Sequence, residues 1–191
     1  MSRNRTAPVL VAGLLLVGQL SLPVAAHAEP ASTLYTLVDV AAQRLSTADP
    51  VAAYKWINGG PITDPQRAGQ VLDAVGDDAA AHGIDAQYVQ TIFGDQIDAT
   101  EGIEYTRFGQ WKFDPATAPT VAADLSESRS AIDGFNKKMV DEIALQWDSL
   151  HSPDCAADLT SAKAAVVSTR QLDPLYQQAL SSATGSYCQL T

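Results

Sequence analysis

The sequence has few of the residues on which covalent and metal-dependent enzymes rely. It contains two cysteines and three histidines in 191 residues. No G-x-S-x-G nucleophile motif, no H-E-x-x-H zinc motif and no glycine-rich phosphate loop occurs in it. Basic residues are also scarce, with 12 Lys and Arg against 22 Asp and Glu and a formal net charge of −10. This balance disfavours a nucleic acid or an anionic membrane as partner, and no cofactor or metal site is predicted.

The N-terminus has the pattern of a secretory signal peptide. Arg3 and Arg5 precede an apolar stretch over residues 9–22, and Ala26-His27-Ala28 fits the small-residue cleavage pattern. We therefore predict cleavage after Ala28, a working domain of residues 29–191, and a secreted or periplasmic location. An uncleaved membrane anchor is the alternative, although glycines and a proline weaken a segment barely long enough to span a bilayer.

Cys155 and Cys188 are the only cysteines. In an exported protein such a pair predicts a disulfide, which on the chain-entropy model stabilises the fold by about 3–4 kcal/mol. Two free thiols or a metal-binding pair are the alternatives. A zinc site would have few further ligands, because only His82 and His151 remain once the signal peptide is removed.

The rest of the chain predicts helices and no β-rich alternating run. Apolar residues recur at helical spacing, and several helix starts carry a capping carboxylate, as at Asp64-Pro65, Asp85 and Asp124, the last with Glu127 as a capping box. Pro50 predicts either a kink in the first helix or the start of a second helix. The pattern predicts a single all-α domain of about six helices, closed by the C-terminal disulfide.

The few cations stand at informative positions. Arg44 and Lys55 are eleven residues apart, which is about 20° past three full turns at ~100° per residue, so a continuous helix would project both from one face. Arg129 lies early in its helix, where a cation is unfavourable to the helix dipole. Thr100 and Glu104 share a face of another helix.

Each of these residues also has a purely structural interpretation. Arg44 is able to pair with an acid, Asp64 to cap its helix, and Glu104 to pair with Arg107. Together with Arg67, however, the set offers several cations, a hydroxyl and two carboxylates without a nucleophile. That combination suits a small dianion held by bidentate guanidinium groups, and a reaction driven by shape and electrostatics.

Several segments of the sequence carry a specific family resemblance. They are Leu37-Val38-Asp39 through Arg44-Leu45, residues 48–56, Pro61-Ile62 with Asp64 and Arg67, Asp95-Gln96-Ile97, Ala99-Thr100-Glu101, Ile103-Glu104-Tyr105, Arg107-Phe108, Trp111-Lys112, residues 128–133 and Ser186-Tyr187-Cys188. With these segments the chain resembles the secreted, all-helical chorismate mutases, the exported subclass of the AroQ class, from about Leu34 to Gln189.

The resemblance implies an isomerase that converts chorismate to prephenate without cofactor, metal or covalent intermediate. It implies that Lys55 and Glu104 address the ether oxygen of the bond that breaks, and that Asp64 lies near the substrate hydroxyl. The carboxylates would be bound by the remaining members of the set, Arg44, Arg67 and Arg129, with Thr100 assisting. It further implies a pocket formed within one chain, and a homodimer.

One position departs from the expected pattern. One turn after Arg67 we expect a polar residue in the pocket, but the chain has Val71, with Gln70 beside it. Either the polar role is absent or Gln70 supplies it from a shifted angle. Two other functions remain open. One is a secreted helical protein that binds a small dicarboxylate without turnover, which would need the arginines but neither Lys55 nor Glu104. The other is a structural or host-interaction protein that has lost the pocket.

Overall fold

The computed structural model describes Met1 and residues 32–189, so the predicted signal peptide and its cleavage site lie outside the described residues apart from Met1. Residues 32–189 contain no strand, and the predicted all-α class is confirmed. The helices are α1 (Tyr35–Leu45), α2 (Ala48–Asn58), α3 (Pro65–Ala81), α4 (Ala86–Phe113), α5 (Leu125–Leu145), α6 (Trp147–Leu150), α7 (Cys155–Arg170) and α8 (Pro174–Ala183), with a 3-10 turn at Pro115–Thr117.

Aspartates begin four of these helices, as the sequence predicts for three of them. The N-cap carboxylates accept backbone N–H bonds from the first turn at 2.7–3.0 Å, and they belong to Asp64, Asp85, Asp124 and Asp173. The Asp124 carboxylate accepts from Ser126 N–H and not from Glu127 N–H, so the cap is confirmed without the full capping-box geometry. Gly83, with φ of +71°, closes α3, and the Ile84 N–H donates to the Ala79 carbonyl as in a Schellman motif.

The junction at Pro50 determines how the first two helices are joined. α1 ends at Leu45 and α2 begins at Ala48, two residues earlier than a start with Pro50 at the first position would require. Ser46 and Thr47 keep right-handed helical dihedrals, with φ/ψ of −64°/−14° and −73°/−11°. Pro50 is the third residue of α2, where its N–H would have had no intrahelical partner. The chain therefore keeps its helical direction through the junction.

This junction and the one-turn helix α6 explain why eight helices are found where about six are expected. The predicted long first helix becomes α1 and α2, and the end of the predicted fourth helix separates as α6. The remaining predicted helices correspond one to one with α3, α4, α7 and α8.

The 28-residue helix α4 is the centre of the fold, about 42 Å long at 1.5 Å per residue. It packs against α1, α2, α3 and α8, while α1 also packs against α5 and α7. The core is a continuous apolar cluster that includes Leu37, Ile92, Phe93 and Ile103, each with no exposed surface. Among the helices that the structure describes, none combines the length and apolar character that spanning a bilayer requires.

The predicted disulfide is confirmed, and the alternatives of free thiols or a metal-binding pair are wrong. Cys155, the first residue of α7, is bonded to Cys188, which follows α8. The bridge joins residues 33 apart in sequence and fixes the end of the chain against α7.

Candidate active site

All seven predicted site residues line one pocket between α1, α2, α3, α4 and α5. The pocket also contains apolar side chains from α2, α3, α4 and α5. The seven predicted residues are Arg44, Lys55, Asp64, Arg67, Thr100, Glu104 and Arg129. We call the buried side of this pocket, formed by Arg44, Lys55, Thr100 and Glu104, the inner wall. Its open side, formed by Arg67, Arg129 and the neighbouring Asp133, is the rim.

Arg44 is the most confined cation of the inner wall, with 4 % of its surface exposed. Its Nε donates to Asn136 Oδ1 at 2.8 Å, and its Nη1 lies 3.5 Å from the Gln96 carbonyl and 3.4 Å from Thr100 Oγ1. None of these partners is an acid, so the alternative that Arg44 is paired with a carboxylate is wrong. Burial lowers the pKa of Arg44 to about 10, which still leaves the guanidinium charged at neutral pH.

Lys55 and Glu104 form the other half of the inner wall. Lys55 Nζ donates to Glu104 Oε2 at 2.8 Å and to the Ile62 carbonyl at 3.0 Å. Glu104 is 2 % exposed. Burial raises the pKa of Glu104 above its ordinary value, the hydrogen bond and charge of Lys55 oppose that shift, and the nearby Glu101 adds to it. The alternative pairing of Glu104 with Arg107 is wrong, because Arg107 is bound to Asp49 on α2.

The rim is more open than the inner wall. Arg67 Nη2 donates to Asp133 Oδ1 at 2.8 Å, with 31 % and 61 % of the two side chains exposed. Arg129 is exposed on α5 and makes no hydrogen bond to any residue that the structure describes. The rim thus presents two guanidinium groups, one balanced by a carboxylate and one not.

The same pocket is also lined by Asp64, Thr100 and Val71. Asp64 caps α3 and lines the pocket as well, so its two roles coexist. Thr100 donates its hydroxyl hydrogen to the Gln96 carbonyl at 2.7 Å, which leaves its oxygen near Arg44. Val71 lines the pocket and is 6 % exposed, whereas Gln70 is exposed and does not line it. The pocket wall is therefore apolar where a polar residue is expected.

Comparisons with known proteins agree with this geometry. A family model described as chorismate mutase type II matches residues 35–105. The chain is 58 % identical over 163 residues to a secreted chorismate mutase of Mycolicibacterium smegmatis, covering 85 % of this chain and 90 % of the relative. It is 51 % identical over 176 residues to a secreted chorismate mutase of Mycobacterium tuberculosis, covering 92 % of this chain and 88 % of the relative.

The chain belongs to the chorismate mutase family.

Among solved structures, the chorismate mutase from Burkholderia phymatum superposes with a TM-score of 0.78 at 30 % identity, covering 83 % of this chain and 97 % of that one. The resemblance read from the sequence is thereby confirmed, and the chain is an enzyme of the isomerase class. Its curated relatives are named as secreted proteins, and the chain is likewise a secreted chorismate mutase. The family model spans α1 to most of α4, which includes the whole inner wall and leaves Arg129 outside the match.

The structure adds pocket residues that sequence reasoning did not select. Asn136 accepts a hydrogen bond from Arg44. Its position in the pocket region was predictable from the sequence, because Asn136 lies seven residues after Arg129 and therefore on the same face of α5. Glu101 lines the pocket one turn before Glu104. The Ile62 carbonyl that binds Lys55 was not predictable from residue type, because it is a backbone group. Within residues 32–189, no three His, Cys, Asp or Glu side chains are grouped so as to hold a metal ion.

Proposed function

We propose that the pocket binds chorismate and catalyses its rearrangement to prephenate by conformational and electrostatic means, without a covalent intermediate. The observation that carries this proposal is the Lys55–Glu104 pair at 2.8 Å within a pocket that also holds three arginines. The rearrangement is unimolecular, so it needs no base, nucleophile or cofactor. It needs the substrate held in its compact conformer and negative charge stabilised on the ether oxygen.

Lys55 is the proposed donor to the ether oxygen. An ammonium group has three N–H donors. Two are bound to Ile62 and Glu104, so one remains for the pocket, and the two bonds fix its direction before substrate arrives. A donor that is already oriented stabilises charge as it develops without a cost of reorganisation.

Arg44 is the proposed inner carboxylate ligand, and Arg67 and Arg129 the outer ones. Nε and Nη1 of Arg44 are held by neutral oxygens, while its Nη2 makes no hydrogen bond to the described residues. Its charge is therefore uncompensated on the pocket side, which favours an incoming carboxylate. Asp64 is proposed to meet the substrate hydroxyl with the carboxylate oxygen that the helix cap does not use.

Glu104 is proposed to act in its protonated form as a second donor to the ether oxygen. Its pKa is already raised by burial, and a bound dianion would raise it further by repelling the carboxylate charge. The proposal therefore requires that substrate binding shift the proton balance of the Lys55–Glu104 pair toward the neutral acid.

We also propose that one chain forms a complete pocket and that the protein is a homodimer. All seven predicted site residues line one pocket of a single chain, which supports the first part. The dimer is an expectation from the family resemblance. Sedimentation velocity tests it, and a kcat/KM that does not change on dilution from dimer to monomer would support a pocket that needs no partner.

The experiment that tests the function follows the loss of chorismate absorbance with residues 29–191, alone and as Lys55→Ala. We expect cofactor-free turnover by the parent and a rate lower by about 10²–10³ in the variant, the usual effect of losing one oriented donor. Lys137→Ala is a matched control, because Lys137 is 67 % exposed and, among the residues that the structure describes, pairs with Asp141 alone, at 3.5 Å. If the folded parent binds chorismate without converting it, this proposal is wrong and the protein is a dicarboxylate-binding protein.

A further inference from the structure

The loop between α2 and α3, residues 59–64, lies against the side chain of Lys55. It begins with Gly59 at φ of +80° and Gly60 at φ of +119°, backbone conformations that favour glycine. A Cβ atom on Gly60 would lie 4.0 Å from Lys55 Cγ, so the backbone passes close to the lysine stem. Two consecutive glycines give the start of the loop wide conformational freedom. The position of the loop therefore depends on contacts made by its later residues.

Ile62 and Thr63 supply those contacts. The Ile62 side chain is 8 % exposed and lines the pocket, and its carbonyl accepts from Lys55 Nζ at 3.0 Å. Thr63 is exposed and does not line the pocket. The Ile62 carbonyl and the Thr63 nitrogen belong to one planar peptide unit. A contact that holds the Thr63 side chain therefore also restricts the direction of the carbonyl that binds Lys55.

The Thr63 hydroxyl is bound to α4 at two points. It donates to Glu101 Oε2 at 2.7 Å and lies 3.0 Å from the Tyr105 hydroxyl. A hydroxyl has one hydrogen, so the Tyr105 hydroxyl is the donor of the second bond. Glu101 and Tyr105 are one turn apart on α4, the helix that also carries Glu104. The two acceptors of Lys55, one on the loop and one on α4, are therefore held at a fixed distance from each other.

Glu101 is difficult to explain by substrate binding alone. Its side chain lines a pocket proposed to receive a dianion, where a carboxylate repels the ligand. No Lys, Arg or His among residues 32–189 forms an ion pair with it. Its carboxylate accepts instead from the Thr63 hydroxyl. Holding the loop therefore accounts for an acidic side chain that the proposed ligand does not favour.

We propose that Thr63 is a positioning residue for Lys55. Its two bonds to α4 hold the loop, and the held loop keeps the Ile62 carbonyl on the Lys55 ammonium. The inference rests on the proposed role of Lys55 as donor to the ether oxygen. Thr63 acts only through Lys55, by restricting the direction of the N–H that remains for the pocket. Its loss should therefore affect the transition state more than the bound substrate.

The kinetic test compares Thr63→Val with Thr63→Ser in the exported protein with its disulfide intact. Valine keeps the shape of the side chain without the hydroxyl, and serine keeps the hydroxyl. We expect Thr63→Val to lower kcat roughly three- to ten-fold with KM within about two-fold, and Thr63→Ser to stay within about two-fold of the parent. Thr106→Val is the matched control and should leave kcat unchanged, because this exposed hydroxyl bonds to the Gly102 carbonyl at 2.8 Å and does not line the pocket.

A double-mutant cycle with Lys55→Ala shows whether Thr63 acts through Lys55. Once the ammonium is absent there is nothing to position, so we expect Thr63→Val to cause no further loss of kcat in that background. An equal loss in both backgrounds overturns the inference, because Thr63 would then support the fold or another group. A kcat for Thr63→Val equal to that of the parent overturns it as well, and so does a Thr63→Ser variant as slow as Thr63→Val.

The NMR signal of the Lys55 ammonium, assigned by its absence in Lys55→Ala, tests the positioning without turnover. Protons held by two acceptors exchange slowly with water, so we expect slow exchange in the parent, Thr63→Ser and Thr106→Val and faster exchange in Thr63→Val. If this pattern is found in a parent that does not convert chorismate, the proposed function is wrong and the positioning of Lys55 by Thr63 stands. Equal exchange in the parent and Thr63→Val overturns the inference whatever the kinetics show.

Discussion

The inner wall and the rim use the same cation in two different environments. Arg44 of the inner wall is 4 % exposed and held by oxygens from α4 and α5, whereas Arg67 of the rim is 31 % exposed and has one bond to an exposed carboxylate. A buried guanidinium is weakly screened and strongly oriented, while an exposed one is screened by solvent and salt. We therefore expect the inner wall to set the geometry of a bound substrate, and the rim to contribute attraction for a dianion in a protein that is otherwise acidic.

The sharpest test of this comparison is Arg44→Lys. An ammonium cannot reproduce the bonds to Asn136 and Gln96 and leaves buried oxygens unpaired, so we expect kcat/KM to fall by about 10²-fold or more. Arg107→Lys is the matched control, because Arg107 binds Asp49 through two bonds outside the pocket, and it should change kcat/KM by less than about two-fold. Similar losses in both variants would show that burial gives Arg44 no special role.

Glu104→Gln tests whether the buried side chain of Glu104 must be protonated for turnover. Because the pKa of Glu104 is raised, the protonated form persists above the ordinary range for a carboxyl group and is lost as pH rises through the shifted value. The parent rate should therefore be level at lower pH and fall at higher pH, and the variant profile should be flat. We expect the variant to keep about a tenth of the parent rate or more at low pH, since the amide still donates.

Glu142→Gln is the control for that profile. Burial also raises the pKa of Glu142, but this residue is on α5 and does not line the pocket. Its substitution should leave the pH dependence of the parent unchanged. A parent rate that stays level well into the alkaline range would exclude the protonated form of Glu104 as the donor.

Arg129→Ala tests the rim. Because Arg129 is exposed and makes no bond within the described residues, we expect a rise of roughly three- to ten-fold in KM at low ionic strength, with a smaller difference from the parent at high salt. Arg170→Ala removes the same charge from a surface pair with Asp39 on α1 and should leave KM unchanged. If high salt does not reduce the rise in KM caused by Arg129→Ala, Arg129 acts as an unscreened cation, like Arg44 of the inner wall.

Asp133→Asn should have the smallest effect, and in the favourable direction. Asp133 is bound to Arg67 at 2.8 Å in an exposed setting, so its carboxylate would compete with a substrate carboxylate if Arg67 binds one as proposed. Removing its charge should lower KM by about two-fold, as expected for an exposed ion pair worth a fraction of a kcal/mol. Asp141→Asn on the same helix serves as control. A higher KM for Asp133→Asn would show that Asp133 orients Arg67 instead of competing for it.

Much of this site was predictable because local rules and tertiary packing agree. Asp64 and Asp85 cap their helices as their residue types predict. The helical direction continues from α1 into α2, so Arg44 and Lys55 line one pocket, as their spacing predicts. Partners distant in sequence were not predictable. Arg107 binds Asp49 and not Glu104 because of how α2 packs against α4. Arg44 binds Asn136 because of how α1 packs against α5.

The sequence by itself determined the helical class, most helix boundaries and the disulfide, because caps, apolar periodicity and residue type are local properties. It also selected seven residues that line the pocket, through their residue types and the family resemblance. Tertiary structure alone decided which cation is buried and which is exposed. It also decided that Val71 leaves the pocket wall apolar and that Tyr187, at the far end of the chain, is fully buried. Burial and long-range contact arise only when distant helices pack, and they determine the pKa values and bond directions on which the proposed chemistry depends.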